Sequence, residues 1–401
     1  MELAILEEHY TCTGCGDCCG GWSVPLLPGE ADRFRTLAAD LVPAERLRAA
    51  IHAARGGVGI AVDALGGPGQ RCVALDDDMR CKVHATHGSE SKPLVCRLFP
   101  LTYVATPTEV RVSLSFACPA VIDSEGPLLA EQRDEVERTW RAVEGSPYHL
   151  RVDGDVTLVE GRTLPWADAS ALLAEASRAL RADGTLVERL CRAGATVALT
   201  IAMLDEGRPF GAALAAARDG RDALVRDALA APPAADRLSR ALLRTIVEST
   251  APGARGSGSR IWGAITSIGT GGGRIRIAAG DVAQAAVDSV ARGLPADAEA
   301  LLARWLDAEI HGLTFFGAAG FELSIAGGLD LLTLTAAAVA RVARACAAHA
   351  GRTAVARDDV KAALRQVYAG VHHRAAMPPR FERALAATAS LDLLRDELGA
   401  K

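Results

Sequence analysis

Aromatic residues make up only 4% of this 401-residue chain. Core volume must therefore come from aliphatic side chains, and the Ala-, Leu-, Val- and Gly-rich text suits closely packed helices. Charge of one sign is also missing in excess. Lys and Arg number 44 against 49 Asp and Glu, a net of −5, and the basic residues are scattered. That leaves no electrostatic case for a nucleic-acid partner. The opening MELAILEEHY has acids where a secretory leader needs a basic start, and no long apolar run follows. The best membrane candidate, LDLLTLTAAAVARVARACAAHA, is interrupted by Asp330, Arg341 and Arg344. It falls short of about 20 uninterrupted apolar residues. The expectation is a cytoplasmic, unanchored protein with no membrane partner. The chain also shows no Ser/His/Asp triad signature, no P-loop and no zinc-protease helix.

What is present in excess is local. The chain has ten cysteines. Eight of them, Cys12, Cys15, Cys18, Cys19, Cys72, Cys81, Cys96 and Cys118, lie before residue 120. The first four fall within the stretch TCTGCGDCCGGWSV, residues 11–24. Packing a hydrophobic core does not call for such a cluster. In a reducing compartment clustered cysteines are metal ligands rather than disulfides. Cys191 and Cys346 are isolated in helical text and read as core thiols.

Half of the residues are hydrophobic and 23% are charged, as in a soluble globular chain with ample core. The text divides near residue 163, giving an irregular cysteine-bearing domain (1–163) and an all-α domain (164–401). In the first part, periodic apolar positions predict a helix from Pro28 to about Ala54, broken at Pro43. The Gly-rich residues 56–70 read as a loop or short strand.

Three hairpins are predicted. RCVALDDDMRCKVH (71–84) would turn at Asp76–Asp78 and bring Cys72 near Cys81. The segment LTYVATPTEVRVSLSF (101–116) would turn at TPTE and place Cys96 and Cys118 near its open end. RVDGDVTLVEG (151–161) would turn at Asp153–Gly154.

From Leu164 onward, i, i+3, i+4 spacing predicts helices over 167–183, 185–204, 209–231, 234–250, 281–294, 297–316, 330–350, 356–373 and 380–398. Asp281, Asp297 and Asp358–Asp359 are their N-terminal signals. A Gly-rich interruption covers 251–277. The fold class expected is mainly α, with short N-terminal β-hairpins in a small irregular α+β domain and a C-terminal helical bundle.

Cys12, Cys15 and Cys18 form C-x2-C-x2-C, in which each gap lets a turn present the next thiolate to one site. Gly14 and Gly16 allow the tight backbone. Iron–sulfur proteins of the bacterial ferredoxin kind combine such a run with a remote Cys-Pro, and Cys118-Pro119 is one. Neighbouring side chains tend to point apart, so of Cys18 and Cys19 one is expected to serve a second site. Cys72, Cys81, His84 and Cys96 form the second group, with Cys81-x2-His84 at ligand spacing. Thiolate-rich sites suit both iron–sulfur and zinc, so both stay open.

Weaker signals read as structural. IGTGGGRIRI (268–277) lacks the strand and helix of a nucleotide-cradling loop and reads as a flexible loop. Asp307 and His311 read as a surface pair, His372-His373 as a helix end, and His87 as surface.

CTGCGDCC, RCVALDDDMRCKVH, KPLVCRLFPL and SLSFACP, in that order, resemble the signature of the YkgJ-type cysteine-cluster family, a zinc- or iron-chelating domain. The run Cys18-Cys19-Gly20-Gly21-Trp22 and the SLS…CP segment are similar to the flagellin lysine-N-methylase branch. RWLDAEIHGLTFFG and RFERALAATASLDLL resemble, more loosely, that branch's C-terminal region.

The resemblance implies an iron–sulfur cluster of the 4Fe–4S kind, or zinc, held by the eight early cysteines. It also implies S-adenosylmethionine as methyl donor. The partner it implies is a protein substrate, flagellin or another lysine-bearing surface protein. The alternative is a non-catalytic metal-binding or electron-transfer protein with a helical partner-docking domain. No catalytic residue is singled out, although Tyr103, Glu309 and Tyr368 are of the types that accept a proton from an amine.

Overall fold

The computed structural model describes residues 1–20, 24–55, 61–65, 71–251, 274–372 and 379–399. The architecture is mainly helical, with short strands toward the N-terminus and helices toward the C-terminus. The chain forms two compact units. One comprises residues 1–105 and 109–150, the other 106–108 and 151–401.

The first unit is built on a four-stranded sheet of order β1-β6-β5-β7. Strand β1 (Glu2–Ile5) runs parallel to β6 (Glu109–Leu114), and β6 pairs antiparallel with β5 (Leu101–Ala105). The chain leaves the unit on β7 (Leu150–Arg151). The β5–β6 hairpin forms as its β-branched and aromatic residues predict, with Tyr103 opposite Val112. Val110 and Val112 are fully buried. Helix α6 (Arg133–Val143) covers this core with Val136, Trp140 and Val143. The Tyr103 hydroxyl donates to the Val136 carbonyl at 2.8 Å.

A second sheet of order β2-β4-β3 joins Val24–Pro25 (β2), Ala61–Leu65 (β4) and Ile51–Arg55 (β3). The predicted helix over 28–54 is α1 (Glu30–Ala38) and α2 (Ala44–Ala50), broken at Pro43 as expected. Its last turn is instead strand, because Ile51 pairs with Leu65 and the ladder continues to Arg55–Ala61. A β-branched residue gains more from that ladder than from another helical turn. Val24, Leu26, Phe34, Leu47, Ile51, Leu65, Val73 and Val83 form one core here, and Cys72, Cys81 and Cys96 pack against it.

The other predicted hairpins differ in detail. Around Asp76–Asp78 the turn is present: Asp76 N–H donates to the Arg80 carbonyl at 2.9 Å, and Leu75 bridges to Cys81. There is no continuous second strand. Cys81 is instead the N-cap of α3 (Lys82–His87). The third hairpin lies one step later than predicted. Strand β8 (Val156–Val159) pairs with β9 (Arg162–Leu164) around Glu160–Gly161. Gly161 takes a φ of 81° there, which only glycine adopts without strain.

In the second unit, helices α7 (Trp166–Arg181), α8 (Leu186–Asp205), α9 (Phe210–Ala230) and α10 (Arg237–Ser249) stand where the periodicity predicts. Thr185 and Glu188 close a capping box at the start of α8, and Asp236 caps α10 through the Ser239 N–H. The stretch 281–294 differs. Asp281 sits in strand β11 (Gly280–Ala283), paired with β10 (Arg274–Ile277), and its carboxylate receives the Arg276 guanidinium at 2.8 Å. Only α11 (Gln284–Asp288) is helical there.

Next come α12 (Ala296–His311), α13 (Ile325–His349) and α14 (Arg357–His372). Asp297, Asp358 and Asp359 sit in the first turns expected of them. The predicted helix over 380–398 is two, α15 (Pro379–Ala386) and α16 (Ser390–Leu398). They part where the Thr388 hydroxyl bonds back to the Ala384 carbonyl. Helix α13 is the core helix. Its length and composition would let it cross a membrane, yet 78% of its most apolar window is buried inside the protein. The Gly-rich segment over 252–273, Gly21, Trp22 and His373 lie outside the described residues.

Candidate metal centre

Four chain segments carry the eight early cysteines, and all eight are free thiols. The first segment is held at its start by both backbone groups of Tyr10. Tyr10 N–H donates to the Pro127 carbonyl at 3.1 Å, and Gln132 Nε2 donates to the Tyr10 carbonyl at 2.7 Å. Gly14 and Gly16 both take positive φ, 68° and 69°, as expected of the glycines between the thiols. A short 3-10 turn, Asp17–Cys19, then presents the last pair. Cys18 Sγ and Cys19 Sγ lie 3.8 Å apart. The pair therefore does not diverge as neighbours in an extended chain would, because the tight turn folds both side chains to one side.

The second segment meets the first through its backbone. Cys72 N–H donates to the Cys19 carbonyl at 2.7 Å, and Gly20 bridges to Arg71. The Asp76 turn returns the chain so that Cys81 lies across from Leu75. Cys96 sits in helix α4 (Leu94–Leu98), and Cys118 caps α5 (Pro119–Ile122), with Pro119 at the position where a missing N–H costs nothing.

The electrostatics show which thiols are neighbours. Burial pushes the Cys72 thiol up to about 11, and Cys81 and Cys18 add to this. Burial raises Cys96 further, with Cys72, Cys18 and Cys81 contributing and Lys92 opposing. Cys118 is pushed up to about 11 by burial, then by Cys15 and Cys18. Cys18 is itself raised, first by its contact with Cys19 and then by burial. Cys72, Cys81 and Cys18 thus all act on Cys96, Cys15 and Cys18 act on Cys118, and Cys18 is common to both sets. The Tyr10 hydroxyl is raised by burial and then by Cys12, Cys118 and Cys18.

The donor set fits a soft metal in kind: eight thiols, none consumed by a disulfide, carried by loops, short turns and helix caps of one unit. Burial that opposes a lone thiolate favours one whose charge a cation balances. Among the described residues no three His, Cys, Asp or Glu side chains already stand at ion-holding separation. His84 is exposed on α3, and partial loss of solvent and then Lys92 lower its pKa. His87 is exposed, and its Nε2 bonds the Leu37 carbonyl at 3.0 Å.

Two residues that sequence reasoning passed over position the thiols. Glu30 accepts from Leu27 N–H at 2.8 Å and from Leu94 N–H at 2.7 Å, so one carboxylate ties the start of α1 to the helix carrying Cys96. Its signal is an acid in the first turn after Pro-Gly. Lys92 lies four residues before Cys96 and opposes the rise of both Cys96 and Cys18. Of the proton-acceptor types, Tyr103 is buried in the first unit, while Glu309 and Tyr368 are buried in the second. Asp307 forms an ion pair with Arg181 at 2.8 Å.

A small irregular unit that carries eight free thiols on four segments has the make-up of a cysteine-cluster domain. Comparison with known proteins agrees. Residues 11–119 match the CxxCxxCC model, described as a zinc- or iron-chelating domain. The flagellar biosynthetic protein FliU of Salmonella muenchen is 32% identical over 135 residues, which cover 30% of this chain and 75% of that protein. The chain belongs to this cysteine-cluster family.

The lysine-N-methylases of Salmonella choleraesuis (strain SC-B67) and Salmonella typhimurium (strain LT2) are likewise 32% identical over 135 residues. The chain spans 32% of the length of each of these two relatives. The likeness lies in the N-terminal region. Residues 323–392, covering α13 to α15 and the start of α16, match the model of an AAA lid domain. No solved structure matches the chain.

Proposed function

We propose that this protein is a cytoplasmic lysine N-methylase that takes its methyl group from S-adenosylmethionine and carries an iron–sulfur cluster on its first unit. Cys12, Cys15, Cys18, Cys19, Cys72, Cys81, Cys96 and Cys118 would hold the metal. A bound cluster would supply one-electron chemistry and charge balance for the buried thiolates, whereas zinc in the same place would be a structural staple. The observation that carries the reading is that these eight free thiols lie within a stretch that matches the zinc- or iron-chelating domain, together with the likeness to relatives named lysine-N-methylase. The acceptor proposed is a lysine on flagellin or on another surface protein. Neither a nucleic acid nor a membrane is part of the reading. Methylating a lysine requires a neutral amine, a group to take its proton and a site that excludes water.

The test is anaerobic purification followed by iron, sulfide and zinc analysis, then transfer of labelled methyl from S-adenosylmethionine to purified flagellin. Iron with sulfide and labelled lysine support the reading. Stoichiometric zinc without colour removes the iron–sulfur part. A redox-active cluster without methyl transfer favours the electron-transfer alternative.

A further inference from the structure

Cys18 and Cys19 are adjacent in the chain, and their sulfurs lie 3.8 Å apart. Consecutive side chains of an extended chain point to opposite sides, so this approach has to be built by the backbone. A 3-10 turn over Asp17–Cys19 builds it. The Cys19 N–H donates to the Gly16 carbonyl at 2.9 Å, and the Gly20 N–H donates to the Asp17 carbonyl at 3.3 Å. Gly16 enters the turn at a φ of 69°, with Met79 against the position a Cβ would take. On the far side the Cys19 carbonyl accepts from the Cys72 N–H at 2.7 Å, and Gly20 bridges to Arg71. The turn that pairs the thiols is therefore fixed before and after the pair.

Core packing does not account for it, since Cys18 is exposed and Cys19 only partly buried. An S–H group is a weak donor and does not set a backbone turn. The chain itself disfavours a disulfide here. Neighbouring Cα atoms across a trans peptide are about 3.8 Å apart, short of the roughly 4.4 Å that a disulfide ordinarily needs. Chelation fits. Two thiolates that each sit about 2.3 Å from one tetrahedral ion stand about 3.8 Å from each other. The turn sets that separation.

We propose that Cys18 and Cys19 bind the same metal ion, as two corners of one tetrahedral site. Such a site rests on the metal-binding part of the reading above and narrows the group that it holds. A mononuclear zinc or iron site puts two thiolates on one ion, and so does a four-cysteine 2Fe–2S cluster. A 4Fe–4S cluster spreads four thiolates over four irons, one on each, and has no place for this pair. The group at Cys18 and Cys19 is then a one- or two-metal centre, in place of the 4Fe–4S kind that the resemblance implies.

The experiment loads the full-length wild type with cadmium-113 and records proton–cadmium correlation spectra. The β-protons of Cys18 and Cys19 should correlate with a common cadmium resonance. Correlations to separate resonances, with none shared, overturn the proposal. Metal content per chain in anaerobically purified Cys18→Ser, Cys19→Ser and the double variant gives a second readout. Cys19→Ser should lose metal, and the double variant should lose no more than Cys18→Ser, because both changes strip one ion. Losses that add in the double variant, or wild-type content in Cys19→Ser, overturn it. So does a four-iron Mössbauer signal that disappears in Cys19→Ser. A folded wild type that binds neither zinc nor iron overturns the metal reading and this site together. Additive losses in a protein that holds metal and still transfers methyl groups remove the shared ion alone.

Discussion

The backbone N–H of Cys72 donates to the carbonyl of Cys19 at 2.7 Å. Fifty-odd residues of chain close on that one bond, which sets the CxxCxxCC loop beside the Asp76 turn. Cys18, next to Cys19, thereby becomes a neighbour of both Cys72 and Cys96. The shared position of Cys18 leads to the first prediction.

Cys18→Ala should lower bound metal more than any other single cysteine substitution, because it removes the thiol common to both sets. Cys191→Ala and Cys346→Ala should leave metal content unchanged, since both thiols lie in helices of the other unit. Metal analysis of the purified variants checks this. Equal metal content in Cys18→Ala and wild type would sink it.

Gly16→Ala should cost more metal than Gly14→Ala. Both positions have positive φ, so both variants carry about 1–2 kcal/mol of backbone strain. Only at Gly16 would the new methyl also meet Met79, at 2.5 Å from its Cε and 3.1 Å from its carbonyl oxygen. Gly14 has open space around it. Metal retention under a competing chelator distinguishes the two.

Asp330→Asn should stabilise the second unit at neutral pH. Burial pushes the Asp330 carboxyl up to about 6, opposed by a hydrogen bond from Ser390 and reinforced by Glu382. A carboxyl raised in the folded state binds its proton there more readily than in the unfolded chain. Its ionisation therefore removes stability as pH rises from about 4 through about 6. The gain from Asn is expected to be on the order of 1–3 kcal/mol above pH 7 and to vanish near pH 4. Thermal unfolding across that range measures it; a gain that persists undiminished at the acid end would refute the assignment.

Arg395→Lys should destabilise the second unit by about 1–3 kcal/mol. The Arg395 guanidinium is buried and donates to the carbonyls of Ala228, Leu229 and Ala231, at 3.1, 3.0 and 2.6 Å. It closes the C-terminal end of α9, where helix carbonyls lack internal partners. An ammonium cannot span that fan. Urea unfolding of the two proteins gives the difference.

Most helices of the second unit were legible in the sequence because they bury one face, and an apolar stripe announces that. The Thr185–Glu188 and Asp236 caps are local in the same way. The run Cys12, Cys15 and Cys18 stood out for a similar reason, since its spacing separates these thiols from isolated cysteines such as Cys191. Glu30 did not, because its role is to bond the N–H of Leu94, 64 residues away.

The difference between the two kinds of information is one of range. Composition, periodicity and cysteine spacing determined a mainly helical protein with a thiol-rich, irregular first part, because those features act within a turn or two of chain. Tertiary structure alone decided that Ile51 joins a strand, that Asp281 pairs across a hairpin and that Cys18 and Cys19 lie side by side. It also brought the Tyr103 hydroxyl to the Val136 carbonyl. Each of these depends on a partner whose position is set by the folding of other segments, and a strand ladder or a buried hydroxyl has no preference until that partner arrives.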